Sequence, residues 1–295
     1  MIVKNSRGDK AFDILNILGM CLLILLTVYP FWYTLIGSLS QGADYNAGGV
    51  FFYPRKFTIA NYRAVFQNLQ LFDAYKITII RTIIGTVTSV LFTVIFAYGF
   101  SRKALRGRKI YAALGIFTMF FGGGLIPYYM VIRQLGLFDN FLVYIIPSLF
   151  SFWNVIIFQS FFKEIPESII ESAKIDGATE YRILFSLILP LSKPVIASIG
   201  LFTAVYHWNA YFDAMTFTNN AAIQTLQVLL MKIVRSKEFA QNMSETAARF
   251  VNKGDLSPVT VQLATIMVAS IPIIVVYPFV QKYFVKGVMI GSIKG

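Results

Sequence analysis

Glu171-Ser172-Ala173-Lys174-Ile175-Asp176-Gly177-Ala178 is a polar run set between two strongly apolar regions, and Leu189-Pro190 and Pro194 follow it. A chain this apolar has little reason to keep a long charged loop unless something soluble docks there. Pro166 suits the first turn of a helix, because its missing N–H is not needed there. Glu167 adds a negative charge in the same turn, favourable to the helix dipole. The spacing predicts a short helix from Pro166 to Ile175, with Ile169, Ile170 and Ala173 on one side. Asp176-Gly177 then breaks it, since Gly reaches backbone conformations that other residues avoid. Asp176 is placed to cap a second helix, from about Ala178 through Phe185 to Ile188. Pro190 and Pro194 kink the chain beyond. Small residues at Ser172, Ala173, Gly177 and Ala178 let another surface come close. On the residues alone, two readings stay open: a knob for a soluble partner, or an ordinary amphipathic helix lying in the interface.

The flanks decide the fold class. The chain has 295 residues, of which 57% are hydrophobic and 14% charged, with mean hydropathy +0.66. Soluble domains carry about 25% charged residues. A bilayer core of about 30 Å needs roughly 20 apolar residues per helix. Six stretches meet that length, at about 14–39, 75–100, 110–133, 139–162, 194–217 and 259–281. All should be helical, because lipid leaves backbone groups no partner. The expectation is an all-α integral membrane protein, one transmembrane domain over 1–295, with a loop at 163–193. The N-terminal run follows Lys4, Arg7 and Lys10 like a signal peptide. It is too long for one and lacks a small-x-small cleavage site, so it reads as a retained first crossing.

Charge sets the orientation. The segment 101–109 carries Arg102, Lys103, Arg106, Arg108 and Lys109 and no acid. The N-terminus is basic, and so is the tail, with Lys282, Lys286 and Lys294. Six crossings put all three on one side together with 163–182. By the positive-inside rule that side is cytoplasmic, and the segments at about 40–74 and 218–258 are external. The latter also holds Lys232, Arg235, Lys237, Arg249 and Lys253, and long loops weigh less in the rule. The net charge of +12 is explained in the same way, rather than by nucleic acid.

Polar residues inside crossings are candidates for a transport pathway. The fourth stretch has Trp153, Asn154 and Gln159, and the fifth has Tyr206, His207, Trp208, Asn209, Tyr211 and Asp213. Sugars are held by aromatic faces and hydrogen-bonding side chains, so Asn154, Trp208 and Asn209, with Trp153 and Tyr211, are the expected lining. Trp208 equally fits an interfacial aromatic belt. His207 and Tyr211, four apart, share a helical face. Arg81 reads as snorkelling to the surface, with contact to an acidic sugar as the alternative, and Arg133 is similar. Phe121-Gly122-Gly123-Gly124 and Pro127 mark either close helix packing or a bend along the pathway.

Wider landmarks are Gly123-Gly124-Leu125-Ile126-Pro127, Leu135-Gly136-Leu137, Ile165-Pro166-Glu167, Leu189 to Pro194, and His207-Trp208-Asn209. Tyr277-Pro278, Gln281 to Gly287 and the terminal Lys294-Gly295 close the series. With the Glu171 to Ala178 run, these resemble the permease subunits of binding-protein-dependent carbohydrate ABC importers, in their polysaccharide and oligosaccharide branch. The resemblance covers nearly the whole chain, with Ser172 where the family pattern has Ala. It implies six transmembrane helices, a cytoplasmic coupling helix and a multi-pass place in a bacterial cell membrane with both termini cytoplasmic. It also implies a second permease, two ATPase subunits and an external solute-binding protein. Glu171, Ser172, Ala173, Asp176, Gly177, Ala178, Leu189 and Pro190 would then couple to the ATPase.

No cofactor is expected on this chain. It has no Gly-x-x-x-x-Gly-Lys-Ser/Thr, so ATP and Mg would sit on the partner ATPase. Cys21 and His207 are the one cysteine and the one histidine, too few for a metal cluster or an internal disulfide. No catalytic arrangement is recognisable, which argues against an intramembrane enzyme. An ion-driven transporter would show paired charges deep in several crossings, and it has no role for a docking loop.

Overall fold

The computed structural model describes residues 7–235 and 256–292, with side chains for 8–235 and 256–278. Lys4, Lys237, Arg249, Lys253 and Lys294 lie outside the described residues, and of Arg7, Lys282 and Lys286 only the backbone is described. In chain order the helices are α1 (Arg7–Ser38), α2 (Gly42–Asn46), α3 (Ala60–Phe66) and α4 (Leu69–Ser101). Next come α5 (Arg108–Phe120), α6 (Leu125–Gln134), α7 (Phe152–Glu164), α8 (Glu167–Ile175), α9 (Glu180–Leu191) and α10 (Lys193–Asn209). The last are α11 (Phe212–Phe217), α12 (Leu226–Arg235) and α13 (Pro258–Ser292). Among the described residues there is no β-strand, only a bridge between Ser40 and Phe57.

Among the described residues, three helical stretches are long and apolar enough to cross a bilayer unaided: Gly8–Ser38, Leu69–Ser101 and Pro258–Pro278. Three more candidates are bent pairs. α5 and α6 meet at 113°, the 3₁₀ segment Phe141–Ser148 meets α7 at 49°, and α9 meets α10 at 83°. Counting each pair as one crossing gives up to six. The first bend lies at the glycines: Gly123 and Gly124 both have positive φ, 65° and 92°, which side chains with a Cβ resist. The expected run at 194–217 is helical only to Asn209. Ala210 is extended, and α11 starts anew at Phe212.

The chain divides into two compact units. One comprises 1–69 and 230–270. In it, buried Asn61 donates to the carbonyls of Ser38 and Ser40 at 3.0 and 2.9 Å and accepts from Thr260 at 2.7 Å. One amide side chain thus closes the open C-terminus of α1 and ties α3 to α13. Gly42 lies against the backbone of Leu256 and Ser257, where no Cβ fits.

The second unit comprises 70–229 and 271–295. Its larger core holds Val94, Ala97 and Phe100 of α4, Phe158 and Phe162 of α7, and Ile199 of α10. Ile170 of α8 and Ile183, Leu184 and Ile188 of α9 join the same cluster. Gly85 lets the His207 ring press onto α4 at the position a Cβ would take. A smaller core gathers Ile132, Val143, Tyr144, Phe217 and Val228.

Candidate functional site

Two regions of the second unit concentrate polar chemistry: the α8–α9 loop and a cavity beside the end of α10.

α8 begins after Pro166, which stands at its N-cap. It ends in a Schellman motif. Ala178 N–H bonds to Ala173 O at 2.9 Å and Gly177 N–H to Lys174 O at 3.0 Å, with Gly177 at φ 77°. Asp176 occupies the C-cap of α8. The cap of α9 is instead Thr179, whose hydroxyl accepts from Arg182 N at 3.4 Å. A threonine directly before the helix is the better placed acceptor, which the sequence reading assigned to Asp176. Ile170 is buried and Ala173, Ala178 and Leu189 pack on the same core, so the loop is seated firmly. Ile169 is exposed and does not share the buried side of Ile170 and Ala173 that its spacing implied. Glu171, Ser172, Asp176, Gly177 and Pro190 are exposed. Ile175 stands 87% exposed, and Tyr181 and Phe185 are exposed as well. The loop thus buries one face while Ile175, Tyr181 and Phe185 point outward.

Charge fixes both ends of the loop. Lys103 pairs with Glu167, at the start of α8. Glu180, at the start of α9, accepts from Lys174 at 2.6 Å and from the Tyr98 hydroxyl at 2.5 Å. The Lys174 ammonium, then the Tyr98 hydroxyl, hold the Glu180 carboxyl below the usual carboxylate range. Lys103 does the same for Glu167. Within α9, Leu184–Ile188 form a π-turn just before Pro190. Pro190 carries no amide for Ser186, and the wider turn accommodates its ring.

The cavity, about 280 Å³, is lined by Tyr128, Tyr144, Tyr206, Asn209, Tyr211 and Asp213 among others. It opens where the helix breaks at Ala210. Arg81 of α4 stands behind it, wholly buried. Its Nη1 donates to Asp213 Oδ1 at 3.1 Å and to Ala210 O at 3.2 Å, and its Nη2 donates to Asp213 Oδ2. The guanidinium also lies 4.6 Å from the Tyr144 ring centre. Snorkelling is therefore incorrect for Arg81: Asp213 and a freed helix-end carbonyl give it partners inside the protein. Arg133 is exposed at the end of α6.

Of the residues expected to line a pathway, Asn209 and Tyr211 reach this cavity. Trp208 does not. It is buried with its ring edge-on to Tyr75 at 5.7 Å, facing a separate apolar crevice with Ile79, Leu201 and Tyr277. Trp153 is exposed away from the cavity, and Asn154 is half-buried in the first turn of α7, where its amide is capped by Ser151. His207 and Tyr211 share no helical face, because α10 ends between them. Tyr128 and Tyr144 were missed from the lining, and Tyr206 was noted only as a polar residue of its stretch. The available signal was Arg81 itself: a cation mid-crossing demands an acid nearby, and Asp213 was the one at hand.

Residues 2–290 match the family described as "Binding-protein-dependent transport system inner membrane component". The chain is 36% identical to Protein LplC of Bacillus subtilis (strain 168), over 99% of this chain and 98% of that one. It is 38% identical to the polygalacturonan/rhamnogalacturonan transport system permease protein YtcP of the same organism, over 97% and 99%. A crystal structure of a bacterial ABC transporter involved in the import of the acidic polysaccharide alginate aligns with TM-score 0.88 and 35% identity, covering 95% of this chain and 99% of its counterpart.

Proposed function

Since the chain belongs to the binding-protein-dependent transport system inner membrane component family, we propose that it is the permease subunit of an ATP-driven oligosaccharide importer. It pairs with a second permease, two ATPase subunits and an external solute-binding protein. Both termini and the α8–α9 loop face the cytoplasm. ATP and Mg belong to the ATPase. Its closure draws the coupling loops together, and the pathway opens outward to receive sugar. Asn209 and Tyr211 contribute to that pathway. Glu171, Ser172, Ala173, Asp176, Gly177, Ala178, Leu189 and Pro190 form the coupling segment. The relatives' names support a saccharide cargo.

The observation that carries this reading is the α8–α9 loop, anchored by Ile170 and Ile183 while Ile175 and Tyr181 project from it. The test is affinity purification from native membranes in mild detergent, beside an Ile175→Asp variant. Ile175 touches little of its own chain, so the variant should fold. Copurification of an ATPase and a second permease with the native chain, and loss of the ATPase alone from the variant, is the expected result. A native chain that purifies without any ATPase overturns the proposal.

A further inference from the structure

The Arg81–Asp213 pair is an unusual component for a cavity wall. A buried arginine within a crossing is costly and by default functional. As a purely structural tie it is a poor choice, because well-packed apolar residues usually serve as well as a buried ion pair. The two partners are also unequally buried. The Arg81 side chain is 0% exposed, whereas that of Asp213 is 20% exposed and forms part of the cavity lining. Asp213 sits on α11, six residues long, just past the break at Ala210. Its Oδ1 also accepts from Ala214 N at 2.8 Å, which gives the carboxylate a second partner on its own helix. The fork is not saturated, since Arg81 Nε has no hydrogen-bond partner.

We propose that Arg81 recognises the carboxylate of an acidic sugar in this cavity, and that Asp213 occupies its guanidinium until that sugar arrives. The inference rests on the oligosaccharide-importer reading and names the substrate class as uronic-acid oligosaccharides. A guanidinium offers the same planar fork to any carboxylate. Exchanging Asp213 for a uronate therefore keeps the buried cation paired throughout, and Asp213 turns toward the wet cavity and its own helix. The phenol rings of Tyr128, Tyr206 and Tyr211 supply faces for the pyranose. Tyr144 lies against both the cavity and Arg81. A neutral sugar uses the rings and Asn209 but has nothing to exchange.

The test uses the assembled complex in proteoliposomes with saturating binding protein, so that the maximal rate reports on the membrane subunits. The probes are trigalacturonate and its methyl ester, which differ in charge and little else. The native chain should carry the acid, and Asp213→Asn, which leaves Arg81 unmasked, should carry it at least as fast relative to the ester. Arg81→Gln combined with Asp213→Asn leaves no buried charge behind. It should lower the acid-to-ester rate ratio roughly tenfold, the size expected for losing one charge-assisted hydrogen-bonded contact. Equal loss of both rates in the double variant would make the pair a structural tie only and overturn the proposal. A native complex that carries the ester and not the acid overturns it too. Absence of ATP-dependent uptake of either trimer overturns instead the importer reading beneath it.

Discussion

The Tyr98 hydroxyl donates to Glu180 at 2.5 Å and so joins the last turns of α4 to the first turn of α9. Glu180 takes Lys174 on its other oxygen, and the Arg102 guanidinium covers the Tyr98 ring at 4.3 Å. Tyr98→Phe removes the hydroxyl and keeps the ring. Hydrogen bonds to charged groups contribute about 1.5–3 kcal/mol, and Lys174 remains, so a loss near the lower end is expected. A lowered thermal midpoint of the purified complex, with no change in Glu180→Gln/Tyr98→Phe beyond Glu180→Gln alone, checks the coupling.

The same carboxylate sets a pH dependence. Its folded pKa lies below its unfolded one, chiefly because of Lys174 and then Tyr98. Its stabilising contribution is therefore complete above the ordinary carboxylate pKa of about 4.3 and disappears as pH falls through the depressed folded value. Thermal midpoints should be flat between about pH 7 and 5.5 on this account and drop below about pH 4.5. Glu180→Gln should flatten the acid limb. An unchanged limb in that variant would assign the drop to other groups.

Gly85 is fixed by its neighbour. Its missing Cβ leaves the space that the His207 ring fills. Gly85→Ala should force α4 and α10 apart and cost about 1–3 kcal/mol, the usual range for overpacking. His207→Ala in the same chain should recover most of that loss. Additive losses in the double variant would show that the two helices do not meet there as described.

In the other unit, Asn61→Ala deprives Ser38 O, Ser40 O and the Thr260 hydroxyl of a shared partner. Buried groups left unpaired cost about 1–3 kcal/mol each, so this should be among the more damaging single changes outside the cavity. Thr260→Ser, which keeps the hydroxyl that Asn61 and the Ser257 amide share, should be clearly milder. Protease resistance and thermal midpoint in detergent both read the difference.

Asn209→Ala should slow uptake while leaving assembly intact. Asn209 lines the cavity, and its only described side-chain bond is a local one to Val205 O at 3.0 Å. Wild-type uptake kinetics in the variant would remove it from the pathway.

Apolar length made the helices legible, since lipid admits little else. Gly177 was legible too, because an αL residue after Ile175 asks for glycine. The helix break at Ala210 was not, for no proline or glycine marks it, and Pro147 alone hinted at the one before Phe152. The chain turns there because distant groups, Arg81 at Ala210 O among them, take up the freed carbonyls. The setting of Trp208 was not legible for a related reason: its residue type fits a sugar site, a membrane belt and a packed core equally well, and its ring meets Tyr75, far back in sequence. The tyrosines of the cavity come from three separate stretches whose meeting no local period encodes.

The three glycines between α5 and α6 have one more consequence. They are exposed on this chain, and among the described residues neither Gly122 nor Gly123 donates its amide to a backbone carbonyl. Hydrocarbon does not tolerate bare amides at such a turn, and α6, ten residues long, spans only about 15 Å. A solitary copy in the bilayer thus carries a polar wound in its side. Unassembled subunits should be short-lived in the cell, cleared by membrane proteases unless another subunit or a water-filled passage covers that turn, so the half-life of this chain becomes a gauge of how much of its complex is present.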